Sequence, residues 1–188
     1  MSTCTLNGGI ARGCRDNAGG VYQFYMATYP TVLNVTNQSN TAGIETIIDI
    51  DTDDIGTELE FFPFIPNKNT GEFIETSQVS IENGTLGFEQ KVSMIFSKME
   101  AEKANTIKLL ATGTVVIVVK DRNGKYFFVG EQDGAQLSAG TAGTGKNLTD
   151  LSGYTIELTA LEGKQAGEIE ETSINVDPLT GNLIVSSI

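Results

Sequence analysis

Along much of the chain, apolar and polar positions alternate with a period of two. Tyr22, Phe24 and Met26 fall on one side of a segment whose other side is Val21, Gln23, Tyr25 and Ala27. This predicts a strand partly covered on both faces. Ile44, Thr46, Ile48 and Ile50 alternate with Glu45, Ile47 and Asp49 in a second strand. Leu59 to Ile65 is rich in Phe but carries Pro63, with Pro66 next. Proline lacks the donor a ladder needs, so the run is predicted at a sheet edge or a bulge. In Glu89 to Ser97, Val92, Met94 and Phe96 oppose Ser93, Ile95 and Ser97. Val115 to Val119 is an unbroken β-branched run, which predicts a central strand buried on both faces. Tyr154, Ile156 and Leu158 alternate with Thr155, Glu157 and Thr159, and Leu183–Ser186 reads as a short final strand.

The period changes once. Ala104, Ile107, Leu110 and Ala111 recur at helical spacing, and Gly113 follows as a stop. Ser97 and Glu100 have the spacing of a capping box, so a helix is predicted over 98–111 with Ser97 as its N-cap. Asn123-Gly124 is a strong two-residue hairpin signal, and Asp133-Gly134 turns the chain again. Residues 67–85 are polar with turn signals at Asn69-Thr70-Gly71 and Asn83-Gly84, and read as a long hairpin or a projecting loop. Residues 138–152 read as a flexible glycine-rich loop, and 1–20 as a glycine- and asparagine-rich arm. The sum is a single mainly β domain of about eight to ten strands. A β-sandwich or flattened barrel with one flanking α-helix is the economical arrangement.

Composition narrows the chemistry. The 188 residues include 24 acidic and 12 basic side chains, a net charge of −12, which argues against gripping nucleic acid phosphates. From Asp16 to Asn67 there are eight acidic residues and no basic one. That stretch reads as a solvated face or as a surface that must not stick to passing DNA. Histidine is absent, which removes His-dependent triads and His-ligated metals. Cys4 and Cys14 are too few for a zinc site and read as thiols, with a disulfide left open. No signal peptide or transmembrane run is visible, so the chain reads as made in a cytoplasm, where its four glycosylation sequons carry no meaning.

Two strings resemble ligand sites. Gly140, Gly143, Gly145 and Lys146 lie in a near match to a phosphate loop. That match ends in Asn147, where Mg²⁺ binding needs Ser or Thr, and too few residues follow for the required helix. Asp49, Asp51, Asp53 and Glu60 occupy positions 1, 3, 5 and 12 of a Ca²⁺ loop. Asp54 replaces the glycine of position 6, so this is a weak metal candidate and an acidic turn is the better reading. No constellation supports catalysis, and no cofactor is expected.

Two windows carry a family resemblance. One is Leu6 to Tyr22, with Gly8-Gly9, Arg12, Gly13-Cys14-Arg15 and Gly19-Gly20. The other is Lys108-Leu-Leu-Ala with Val115 to Gly130, then Gly134, Gly140, Thr144-Gly145 and Gly153 to Thr159. Together they resemble the virion structural proteins of tailed bacteriophages infecting Bacteroidetes, in particular tail tube proteins. The resemblance reaches to about Glu162; residues 163–188 lie beyond it as a C-terminal extension. It implies a non-enzymatic subunit that forms hexameric rings stacked into a tube in the virion tail, assembled in the host cytoplasm. Its partners would be further copies of itself and other tail proteins, with DNA passing unbound and no membrane involved. The arm 1–20, the 67–85 segment and the 138–152 loop, with Gly140, Gly143, Gly145 and Lys146, become the expected inter-subunit contacts. Glu45, Asp49, Asp51, Asp53 and Asp54 become the expected lining of the channel, where carboxylates repel DNA phosphates. The rival expectations are a head–tail connector ring, a capsid decoration protein, or a Ca²⁺- or carbohydrate-binding β module.

Overall fold

The structure is a computed structural model that describes residues 10, 16–39, 45–52 and 59–186. It is mainly β, with thirteen strands and one α-helix among the described residues. The strands are β1 (Val21–Thr28), β2 (Leu33–Ser39), β3 (Glu45–Thr52), β4 (Phe62–Phe64), β5 (Glu72–Ser80), β6 (Thr85–Ser97) and β7 (Val115–Asp121). They continue as β8 (Tyr126–Val129), β9 (Gln136–Gly143), β10 (Gly153–Glu162), β11 (Gly167–Ile169), β12 (Ile174–Val176) and β13 (Leu183–Val185). The helix α1 is Ala101–Thr112.

A seven-stranded sheet in the order β2-β3-β11-β8-β7-β1-β4 packs on a four-stranded antiparallel sheet, β5-β6-β10-β9. Between them Phe24, Met26, Ile117 and Val119 meet Val92, Met94, Ile156 and Leu158. The seven-stranded sheet is buried on its other face too. There Tyr25, Ala27, Val116 and Val118 join Phe61, Leu183 and Val185 in a second core. This is why Val115 to Val119 has no polar member: alternate residues of β7 enter different cores. The proline-bearing strand β4 lies at the sheet edge, as its composition predicts.

Residues 163–188 add more than a tail. Strand β11 pairs antiparallel with β8 and parallel with β3, so it joins the β2–β3 hairpin to the rest of the sheet. The β12–β13 hairpin supplies Leu183 and Val185 to the second core.

Several expectations are corrected. The helix starts at Ala101 rather than 98, and Ser97 ends β6 instead of capping α1. The Ser97 hydroxyl accepts a hydrogen bond from Asn67 Nδ2 at 2.6 Å, and Lys98 takes a positive φ of 65°, which bars a helical turn there. Glu100 makes an ion pair with Lys103 at 2.8 Å and no side-chain cap. Residues 138–143 are not loop: β9 runs through them, paired with β10, and the loop is only 144–152. Of the two readings of 67–85, the hairpin is the one that forms, with Ser80 opposite Thr85.

Two bulges break the predicted alternation. Ile48 is skipped in the β2–β3 register, so Ile47 and Ile50 are both buried in the second core. Tyr22 is skipped in the β1–β7 register, which puts Val21 in the same core as Phe24 and Met26. The Asn123-Gly124 hairpin forms, but only Gly124 has positive φ, at 83°. Asp121 N donates to Lys125 O at 2.9 Å, closing a three-residue loop, Arg122 to Gly124, rather than a two-residue one.

Candidate functional site

The near phosphate loop is occupied by the chain itself. Lys146 N and Asn147 N donate to Asp150 Oδ2 at 2.9 and 2.8 Å. These are the N–H groups a phosphate would need, and the two bonds hold the Asp150 carboxyl below its ordinary pKa. Gly145 has a positive φ of 73°, but Gly140 and Gly143 are strand residues of β9. No helix follows the turn.

The acidic stretch does not gather into a metal site among the described residues. Asp49 and Asp51 sit on β3, half-buried, with Asp51 opposite Asn34 of β2. Glu60 accepts a hydrogen bond from Asn182 Nδ2 at 2.7 Å. Asp53 and Asp54 lie outside the described residues, as do Cys4, Cys14, Arg12 and Arg15. Of the channel candidates described, Glu45 is the exposed one.

A buried polar seam, absent from the sequence reading, ties the ends of the two sheets together. Gln90 Oε1 accepts from Gly130 N at 3.1 Å, and its amide donates to Lys164 O at 3.3 Å. Glu162, buried to 4% exposure, accepts from Gln132 N and Asp133 N at 2.9 and 3.2 Å. Burial raises the Glu162 pKa; the two N–H bonds pull it down, and Asp133 and Glu131 add to the rise. Lys164 pairs with Glu131, and Glu75 Oε2 accepts from Ala166 N at 2.7 Å. Every polar member is engaged with backbone or counter-charge, so the seam is structural.

What remains open is surface. The four-stranded sheet turns a polar face outward, with Glu72, Glu89, Lys91 and Glu157; Lys91 pairs with Glu157 at 2.7 Å. Both its edges, β5 and β9, lack a neighbouring strand among the described residues. Strand β9 is eight residues long, QLSAGTAG, with no charge and no proline. Such an edge lacks the charge and proline that usually discourage pairing with another chain; its guards are one bulge, where Ser138 is skipped in the β9–β10 register, and helix α1, which lies against part of the strand.

Two apolar features lie at opposite ends of this sheet. At one end, β5 and β6 run past the last β10 partner, Phe88, as a two-stranded ribbon. Its tip exposes Val79 (66%), Ile81 (93%) and Leu86 (55%). At the other end is a cleft of about 960 Å³ between α1 and β4. Met26, Phe96, Ile107 and Leu110 lie in its walls, with exposed Phe62, Ile65 and Leu109 beside them. The sequence holds one signal for the tip: aliphatic residues flanking Asn83-Gly84, where a hairpin turn is normally polar.

No protein family, curated protein or solved structure matches this chain. The class the fold defines is a mainly β sandwich with one flanking helix.

Proposed function

We propose that the chain is a structural subunit of a tailed-bacteriophage virion, a tail tube protein. Copies join edge to edge into rings, six to a ring as the resemblance implies, and the rings stack into a conduit for the genome. The observation that carries this reading is the four-stranded sheet open at both ends, with no strand beside the uncharged eight-residue β9, which α1 partly flanks, and none beside β5. A monomer with such edges carries a standing aggregation hazard, and closed assembly is one way to cover them. On this reading the carboxylates of the β2–β3 region, Glu45 foremost, with Asp49 and Asp51, line the channel and repel DNA. The chain's net charge of −12 suits a surface that DNA must slide past.

Negative-stain microscopy of the purified protein over a range of concentrations tests the reading. Rings or tubes of uniform diameter are the expected result. A monomer by sedimentation at every concentration would overturn it. A map of the assembly with Glu45, Asp49 and Asp51 on the outer wall would sink the lining assignment alone.

A further inference from the structure

The projecting hairpin and the apolar cleft belong to the same strand direction. The turn after Ser80 and before Thr85 forms one end of β6, and Phe96, in the cleft wall, is near the other. Eleven residues separate Thr85 from Phe96, so the two features lie roughly 36 Å apart at about 3.3 Å per residue. A two-stranded ribbon with both faces in water is marginal by itself. This one also exposes three aliphatic side chains, two of which, Val79 and Leu86, are cross-strand partners.

We propose that the β5–β6 tip of one copy inserts into the α1–β4 cleft of a second copy, stacking subunits head to tail along the strand direction. The inference rests on the self-assembly reading above and names one of its contacts. Three observations select a second copy as the occupant. The tip is convex and aliphatic, whereas the cleft is concave and lined by apolar side chains, so each covers what the other exposes. The two lie at opposite ends of β6, so a head-to-tail contact leaves each copy with a free tip at one end and a free cleft at the other, and the contact can propagate. Neither side carries much charge: the tip from Thr76 to Leu86 has only Glu82, and the cleft lining has Glu100, Glu102 and Lys103, with Lys103 paired to Glu100. In a chain of net charge −12, two such surfaces meet with one like-charge pair to keep apart, Glu82 and Glu102.

Disulfide trapping tests the contact directly. In a Cys4→Ser, Cys14→Ser background, one preparation carries Ile81→Cys and a second, distinguished by mass, carries Leu109→Cys. Both positions are exposed, so the substitutions leave the cores intact, and thermal melts verify folding. Mixed and oxidised, the two preparations are expected to give the mixed-mass dimer at least tenfold faster than Ile81→Cys mixed with a Thr159→Cys control. Equal rates, or no mixed dimer, overturn the contact. Sedimentation of the wild-type chain separates the two levels of failure. Assembly without the specific crosslink sinks the tip-in-cleft contact alone; no assembly and no crosslink sink both.

Discussion

Phe61 and Leu183, 122 positions apart in the sequence, exchange two backbone hydrogen bonds of 2.9 Å, and both side chains are fully buried. This bridge pins the C-terminal hairpin to the segment before β4 and closes the second core over the seven-stranded sheet. Phe61 also meets Phe128 edge-on, with ring centroids 6.3 Å apart.

The bridge makes the C-terminal extension part of the domain. Leu183→Ala is expected to destabilise by about 2–5 kcal/mol, the range for emptying a buried leucine site. That corresponds to a melting temperature lower by roughly 5–15 °C for a chain of this size. Truncation after Gly163 should leave no cooperative unfolding transition, because β11 and the second core go together. A truncated chain that melts cooperatively near the wild-type temperature would contradict this account.

Glu162 should give the protein a stability rise on mild acidification. Its folded-state pKa is raised, chiefly by burial, above that of the unfolded chain. The ionised form is therefore the costly one in the fold. As pH falls from neutral through the folded-state value, the folded protein takes up a proton the unfolded chain does not, and stability grows. The gain is complete near the unfolded value of about 4.3. Urea melts of wild type and Glu162→Gln between pH 7 and pH 4 check this. The glutamine variant should lose that component of the pH slope, while other carboxylates keep theirs.

Two glycines with similar positive φ should respond very differently to alanine. Gly124 has φ of 83° and open space where a Cβ would sit, so Gly124→Ala carries the left-handed strain of about 1–2 kcal/mol alone. Gly134 has φ of 76°, and its Cβ would lie 2.3 Å from Thr114 Cγ2 and 2.7 Å from Tyr29 Cδ2. Gly134→Ala adds an overpacking cost of about 1–3 kcal/mol to the same strain. Chemical denaturation should rank Gly134→Ala as the more damaging; the reverse order would mean the turn relaxes freely.

The loop 144–152 should depend on one carboxylate. Asp150→Ala removes the acceptor for Lys146 N and Asn147 N, which then turn to water. Because the site is exposed, global stability should change by less than about 1 kcal/mol. Amide exchange at Lys146 and Asn147 should accelerate well beyond that of β9 and β10. Unchanged exchange would show that the turn is held by something other than Asp150.

Strand identity was legible where a side-chain pattern meets a local backbone rule. The β-branched run of β7, the alternation of β10, the edge proline of β4 and the Gly124 and Gly134 turns all follow from the residues themselves. So does the failure of the phosphate-loop string, which Asn147 and the short following segment already announce. Tertiary structure decided what local rules cannot. Ile47 and Ile50 share a core because Ile48 bulges out, and Val21 joins Phe24 because Tyr22 does; a bulge is set by the partner strand's register. Ser97 abandons its capping role because Asn67, thirty residues earlier, holds its hydroxyl. Strand β2 has little apolar pattern and exists through pairing with β3. The second core, the Gln90–Glu162 seam, and the placing of an apolar tip and an apolar cleft at opposite ends of one sheet are all products of long-range contacts. Such contacts join residues tens to more than a hundred positions apart, and no window of sequence contains both members.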